Sequence, residues 1–373
     1  VLTLGATLAL LAYGLMSPLL GVLLPTYSLT LSQQGSLGLA QALGMAIASL
    51  SAGPVVDLKG SKTALLLGLT LLVGSLLAAP HAGGYPVLWA VYFLLGISGG
   101  IIVTGANSLV GAISSAQRGP ALNFLNLFFG LGGILTTAAA SYLLSPRTLC
   151  YSVATMAALA LLINSAIPMP GASGQVRFRV SEIPSLLSQP VLLLLSLFLF
   201  FYVAAEVSVW NWLKSYLLSL HFSVQAAGGI ISYGFALGLL LGRIVAARWL
   251  KLSPLAIVVA SSVLIGVTSF AVLTLQSASA MALAVFLTGF SMAPVFPTTL
   301  ALAGDNFPHC TATAMGIVIT SGWLGLAVSS PAIGALASAG SLHNALLLLP
   351  CLAAAMLAVT LVLRFTLRRP VTL

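Results

Sequence analysis

Long apolar runs dominate the chain, punctuated at near-regular intervals by Gly, Pro and charged residues. Twelve such runs are delimited, at about 3–25, 34–56, 63–80, 86–112, 120–144, 148–168, 190–217, 224–250, 254–275, 279–303, 312–338 and 343–365. A helix needs about 20 apolar residues to cross the hydrocarbon core of a bilayer. With no water to satisfy backbone groups there, spanning segments are helices or closed barrels, and barrel strands would alternate over about ten residues. Unbroken runs decide for helices. The expected fold class is an all-α polytopic membrane protein with twelve transmembrane helices. The first run, Leu2 to Leu24, is too long for a signal-peptide core and lacks a basic start, so it reads as a true span.

Charge fixes the topology. Counted alternately from a cytoplasmic start, the connections place Lys59, Lys62, Arg118, Arg177, Arg179, Arg243, Arg248, Lys251, Arg364, Arg368 and Arg369 on one side. Only Arg147 and Lys214 fall on the other. That asymmetry matches the positive-inside rule and predicts that both termini are cytoplasmic. It also accounts for the net charge of +9 without a nucleic-acid partner. The longest polar interval, Gly171 to Gln189, divides the spans six and six. The expected organisation is an N-terminal bundle over 1–170, a cytoplasmic linker over 171–189 and a C-terminal bundle over 190–373.

An internal repeat crosses that division. Phe93-Leu94-Leu95-Gly96-Ile97-Ser98 matches Phe286-Leu287-Thr288-Gly289-Phe290-Ser291 at an offset of 193, which also pairs Leu109 with Leu302, Gly111 with Gly304, Leu131 with Leu324 and Gly132 with Gly325. Repeats related by an axis along the membrane normal enclose a midplane site between the two halves.

The chemistry is sparse. Asp57, Glu182, Glu206 and Asp305 are the only four acidic residues, and Glu206 alone lies deep in an apolar run. Placing a carboxylate there costs about 2.5–3.5 kcal/mol on insertion scales, and such residues face a cavity or a partner. Tyr202, Glu206 and Trp210 follow at i, i+4 and i+8 and share a helix face. A carboxylate flanked by aromatics suits a sugar, with hydroxyls on its oxygens and the apolar ring face on the indole; a desolvated carboxyl also suits proton uptake and release. On the fifth span, Asn123, Asn126, Gly130 and Gly133 form one stripe, which reads either as a polar site wall or as a packing seam with Asn as interhelical glue. Asn107 shares a face with Thr104 and Gly100 on the fourth span. Pro294 and Pro297 should interrupt the tenth span and free carbonyls toward a cavity. Phe296 between them, Trp323 with Thr320, and Tyr13 with Ser17 complete the candidate solute contacts, each with ordinary packing as its alternative.

Several motifs carry a family resemblance. Gly53-Pro54-Val55-Val56-Asp57-Leu58-Lys59-Gly60-Ser61-Lys62 resembles the G-x-x-x-D-R-x-G-R-R signature of the major facilitator superfamily; Gly53, Asp57, Gly60 and Lys62 match, while Leu58 and Ser61 replace basic positions. Gly242-Arg243 is similar to a degenerate second copy. The stretch Tyr202 to Leu217, the run Gly289 to Thr298 and Leu122 to Gly132 are similar to segments of the fucose–glucose/galactose porter branch, within which Asn126 stands at a sugar-contacting His/Gln position. The resemblance implies two pseudo-symmetric six-helix bundles in a bacterial inner membrane. It also implies a monosaccharide substrate moved with a proton by alternating access, and a cytoplasmic gate of Gly53, Asp57, Gly60, Lys62 and Arg243. The chain departs from proton-coupled members that carry an acid in the first or fourth span, leaving Glu206 as the deep acid available for coupling. Efflux of amphipathic compounds, uncoupled diffusion, and a transport-inactive receptor or structural protein on the same scaffold stay open.

Other classes are disfavoured. Cys150, Cys310 and Cys351 are isolated thiols without metal-ligand or CxxC spacing, and the four His residues are scattered. No G-x-x-x-x-G-K-[ST] run supports direct ATP driving, and no nucleophile–base set indicates an enzyme. No cofactor, metal or nucleic acid is expected, and the protein is expected to work as a monomer in the lipid bilayer.

Overall fold

The computed structural model describes residues 2–19, 23, 27, 29, 31–142, 144–169, 183–248 and 253–367. Of the expected linker over 171–189, residues 171–182, with Arg177, Arg179 and Glu182, lie outside the described residues, as do Lys251, Arg368, Arg369 and much of the end of the first span. Among the described residues the regular structure is entirely helical. The spanning helices are α1 (Leu2–Met16), α2 (Leu31–Lys59), α3 (Ser61–Ala78), α4 (Tyr85–Ile113), α5 (Arg118–Tyr142) and α6 (Pro146–Ala166). They continue with α7 (Pro190–Ser219), α8 (Gln225–Arg248), α9 (Pro254–Thr274), α10 (Ala278–Asn306), α11 (Thr311–Ala339) and α12 (Leu342–Leu367). Eleven are long and apolar enough to cross a membrane, and the first is a shorter apolar helix among the described residues. The twelve-helix membrane fold follows.

Local sequence sets the helix starts. Ser145-Pro146 and Ser253-Pro254 each place a serine at the N-cap and a proline in the first turn, where its missing N–H is no loss. The Ser145 hydroxyl accepts from the Thr148 amide at 3.2 Å and that of Ser253 from the Ala256 amide at 3.3 Å. Ser223 and Ser341 cap α8 and the start of α12 in the same way. The expected interruption of α10 is present: helical hydrogen bonding breaks between Met292 and Val295, at Pro294. The sequence carried no comparable signal for α8, whose turn from Ile230 to Ala236 widens to a π-helix.

The chain forms two compact units. One holds Val1–Ile183 together with Phe307–Thr320; the other holds Pro184–Asn306 and Ser321–Leu373. The first ten residues of α11 therefore cluster with the N-terminal helices, which no count of six and six foresees. Within each unit the same glycine crossings recur. In the first, Gly44 of α2 lies against the Phe93 carbonyl and Gly96 of α4 against that of Gln41. In the second, Gly238 of α8 lies against the Phe286 carbonyl and Gly289 of α10 against that of Phe235. A Cβ at any of the four would strike backbone. Gly132 and Gly325, also related by the repeat offset, play this part where α5 meets α1 and α11 meets α7. The sequence repeat thus marks where helix axes approach most closely, the role small residues serve in membrane packing.

Candidate functional site

The candidate residues fall into both units. Tyr13, Gly53, Asp57, Gly60, Lys62, Asn107, Asn123 and Asn126 belong to the first, and Tyr202, Glu206, Trp210, Arg243, Phe296 and Trp323 to the second.

In the first unit, Asn107 and Asn126 are brought together. The Asn126 amide Nδ2 donates to Asn107 Oδ1 at 2.8 Å, and Asn107 Nδ2 donates to the Val103 carbonyl at 2.8 Å. Both are buried. Asn123, one turn earlier, donates to the Gly119 carbonyl at 3.0 Å, while its Oδ1 is buried with no partner among the described residues. The Thr104 hydroxyl, one turn from Asn107, is buried and unpartnered too. Two orphaned polar atoms beside an amide pair form a patch with hydrogen-bonding capacity to spare. Tyr13 is packed: its hydroxyl donates to Met45 Sδ at 3.3 Å, its ring centroid lies 5.7 Å from that of Phe129, and Gly99 abuts its edge.

Charged residues in this unit sit on helix ends. Asp57 Oδ2 accepts from the Thr313 amide at 2.8 Å and the Thr313 hydroxyl at 2.7 Å, and Oδ1 accepts from the Ala312 amide at 3.3 Å. The first amides of α11 lack intrahelical acceptors and carry the positive end of its dipole, so a carboxylate from another helix caps them. Gly53 allows that approach: a Cβ there would lie 2.6 Å from the Ala312 carbonyl oxygen. Gly60 turns the chain from α2 into α3 at φ 87°, a left-handed conformation that glycine adopts without penalty. Lys62 Nζ donates to the Ser165 and Ile167 carbonyls at 2.8 and 2.9 Å, at the negative end of α6. Arg118, which the sequence placed only in a loop, is buried and donates through Nε to the Gly111 carbonyl at 2.8 Å, near the end of α4. A cation placed just beyond an apolar span was the available signal.

In the second unit, α7 carries the deep acid. Glu206 is half-buried on the α7 face that carries Tyr202 and Trp210 one turn to either side, and it lies in the field of the Arg243 guanidinium. Arg243, placed at the gate from sequence, is buried in the same unit as Glu206. The Tyr202 hydroxyl donates to the Met292 carbonyl at 3.0 Å, where α10 is interrupted. Trp210 is 42% exposed, its ring edge-on to Phe235 at 5.0 Å and 79°. Phe235 lies in the π-helical turn of α8, and such turns recur at functional sites. Phe296 and Trp323 are both half-buried.

Comparison with known proteins places this architecture. The family model of the Major Facilitator Superfamily matches residues 2–309. The chain belongs to that superfamily. No curated protein matches it significantly by sequence. Among solved structures, the E. coli fucose:proton symporter is similar over 97% of this chain and 98% of its own, with a TM-score of 0.82 and 18% identity. The human organic anion transporter MFSD10 is similar over 96% and 97%, with a TM-score of 0.79 and 18% identity. The proton:xylose symporter XylE is similar over 96% and 94%, with a TM-score of 0.77 and 15% identity. At these identities the likeness concerns the fold. The chain is a multi-pass membrane transporter and not an enzyme.

Proposed function

We propose that this transporter moves a monosaccharide of the fucose, glucose or galactose type together with a proton, by alternating access between its two bundles. The observation that carries the reading is Glu206 at mid-span on α7, half-buried, with Tyr202 and Trp210 beside it. Glu206 lies sixteen residues beyond Pro190, hence about 24 Å along the helix at 1.5 Å per residue. The Tyr202 hydroxyl has one proton to give and already donates it to Met292. When Glu206 is ionised, its carboxylate and the Met292 carbonyl are two acceptors for that one phenol proton, which links proton occupancy to side-chain arrangement. Arg243 then offers the carboxylate an alternative partner. The named functions of the fucose and xylose symporters support the same reading.

In this proposal Asn107, Asn123 and Asn126 supply hydrogen bonds to the solute, with Phe296 and Trp323 as further contacts. The connections carrying most of the Lys and Arg lie in the cytoplasm with both termini, in a bacterial inner membrane. The divisions at 170 and 190 bound the moving halves, and Asp57 with the start of α11 forms the cytoplasmic latch. A thermal-shift screen of purified protein tests the solute class. Stabilisation by one or more neutral or acidic monosaccharides is expected; stabilisation by lipophilic cations alone would replace the reading with efflux of amphipathic compounds.

A further inference from the structure

The exposed residues of α7 change character along its length. In the first half they include Leu193, 51% exposed, and Leu197, 43% exposed, as a lipid-facing surface requires. In the second half they are Trp210, Asn211, Lys214, Ser215, Leu218 and Ser219, a mixed sector with a polar majority. A polar exposed sector toward the end of a spanning helix faces water, headgroups or a ligand rather than lipid chains. Lys214 continues the face of Glu206 and Trp210 by a further two turns and one turn, respectively. Acid, aromatic ring and cation thus follow at i, i+4 and i+8. The steps are about 6 Å each, with about 12 Å from the first backbone position to the last. Exposure rises along the stripe, from fully buried Tyr202 through half-buried Glu206 to exposed Trp210 and Lys214.

We propose that Lys214 recognises an anionic group on the solute, and that the transported monosaccharide is a hexuronate or similar sugar acid. The inference rests on the monosaccharide reading above and names its substrate class. With Lys214 reaching back along the helix, the interval to Glu206 accommodates one hexose. Its hydroxyls meet the carboxyl, its apolar face meets Trp210, held edge-on by Phe235, and its carboxylate meets the ammonium. One ammonium balances one carboxylate, whereas a phosphate dianion calls for an Arg fork or several cations. A lysine that only snorkels to the headgroups has no reason to continue the acid–aromatic face and would leave ligand selectivity untouched.

The test is the ratio of affinities for galacturonate and galactose, and for glucuronate and glucose. It is measured by calorimetry on wild type, Lys214→Gln and Lys214→Arg, with the unliganded melting temperature reporting folding. Wild type is expected to favour the acid, the ratio to fall by about tenfold in Lys214→Gln, and most of it to return in Lys214→Arg. Neutral sugars binding as well as acids, or a ratio unmoved in Lys214→Gln, would overturn the assignment and leave the monosaccharide reading standing. Tighter binding of hexose 6-phosphate than of hexuronate would overturn the carboxylate. Binding of none of these sugars would remove the monosaccharide reading and this inference with it.

Discussion

Asp57 and Glu206 are both carboxylates in spanning helices, yet their surroundings differ in kind. Asp57 has three donors, all from the first turn of α11, and the dipole of that helix behind them. Two of the three are backbone amides, so it holds a helix end and has little capacity left for anything else. Glu206 has side-chain neighbours: a phenol already committed to Met292, a half-exposed indole and a guanidinium. All three reach it as side chains rather than as backbone amides. Composition cannot separate the two acids; what separates them is whether the neighbours are mostly backbone amides or side chains.

The strongest way to break this contrast is Glu206→Gln. Gln keeps the size and some of the hydrogen bonding but cannot take up a proton, so accumulation driven by a pH gradient in proteoliposomes is expected to vanish. Counterflow of pre-loaded solute, which needs no net proton movement, should survive. Gradient-driven uptake at the wild-type level would remove Glu206 from the coupling role.

Gly53→Leu comes next and strikes the other carboxylate through its support. A Cβ at 53 would meet the Ala312 carbonyl oxygen at 2.6 Å and Thr313 Cα at 2.7 Å, both parts of a helix that cannot give locally. Overpacking of this sort costs about 1–3 kcal/mol, to be read as a lower melting temperature in detergent. Gly74→Ala is the control, since nothing lies within 4 Å of its would-be Cβ; it should leave the melting point unchanged or raise it slightly. Equal losses in the two variants would mean that the α2–α11 approach is not what Gly53 provides.

How much of this was legible in sequence follows from the range of the interactions. Apolar runs, Ser-Pro helix starts and the Pro294 break are local, and each appears where its residues stand. The face shared by Tyr202, Glu206 and Trp210 is set by helix periodicity alone, and all three lie on α7. Asp57 was recognisable as a motif residue, but its partners Ala312 and Thr313 lie 255 and 256 positions away, beyond any local pattern. The burial of Arg243, which a motif-based count put at a loop end, is likewise beyond any local pattern. Tyr13 looked like a candidate solute contact because sequence cannot show that Met45, Gly99 and Phe129 enclose it.

Replacing Asp57 itself should cost less than crowding Gly53, because water can reach the freed amides when the carboxylate is shortened. Asp57→Ala removes a cap worth about 0.5–2 kcal/mol; Asp57→Asn keeps one acceptor oxygen for the Thr313 donors, loses the charge and the acceptor for the Ala312 amide, and should fall between it and wild type. Chemical denaturation or thermal shift resolves the order. An Asn variant as damaged as the Ala variant would show that charge against the α11 dipole, rather than the hydrogen bonds, carries the capping.

The smallest effect belongs to Lys62, and it tests whether helix-end capping is general at this end of the first unit. Its ammonium donates to two carbonyls at the end of α6, but Lys62 is partly exposed and water can replace it at both. Lys62→Met keeps the aliphatic stem and removes only the charge and its donors. The expected loss is about 0.3–1 kcal/mol, the usual worth of a cation at a helix C-terminus near the surface, and it should shrink as salt is raised. Lys62→Arg should recover most of it, since guanidinium also reaches paired carbonyls. A Met variant as stable as wild type at low salt would restrict capping by charge to Asp57. The motif's basic position would then contribute to stability through its stem alone, and the backbone-held acid would stand as the one anchored charge in the comparison with Glu206.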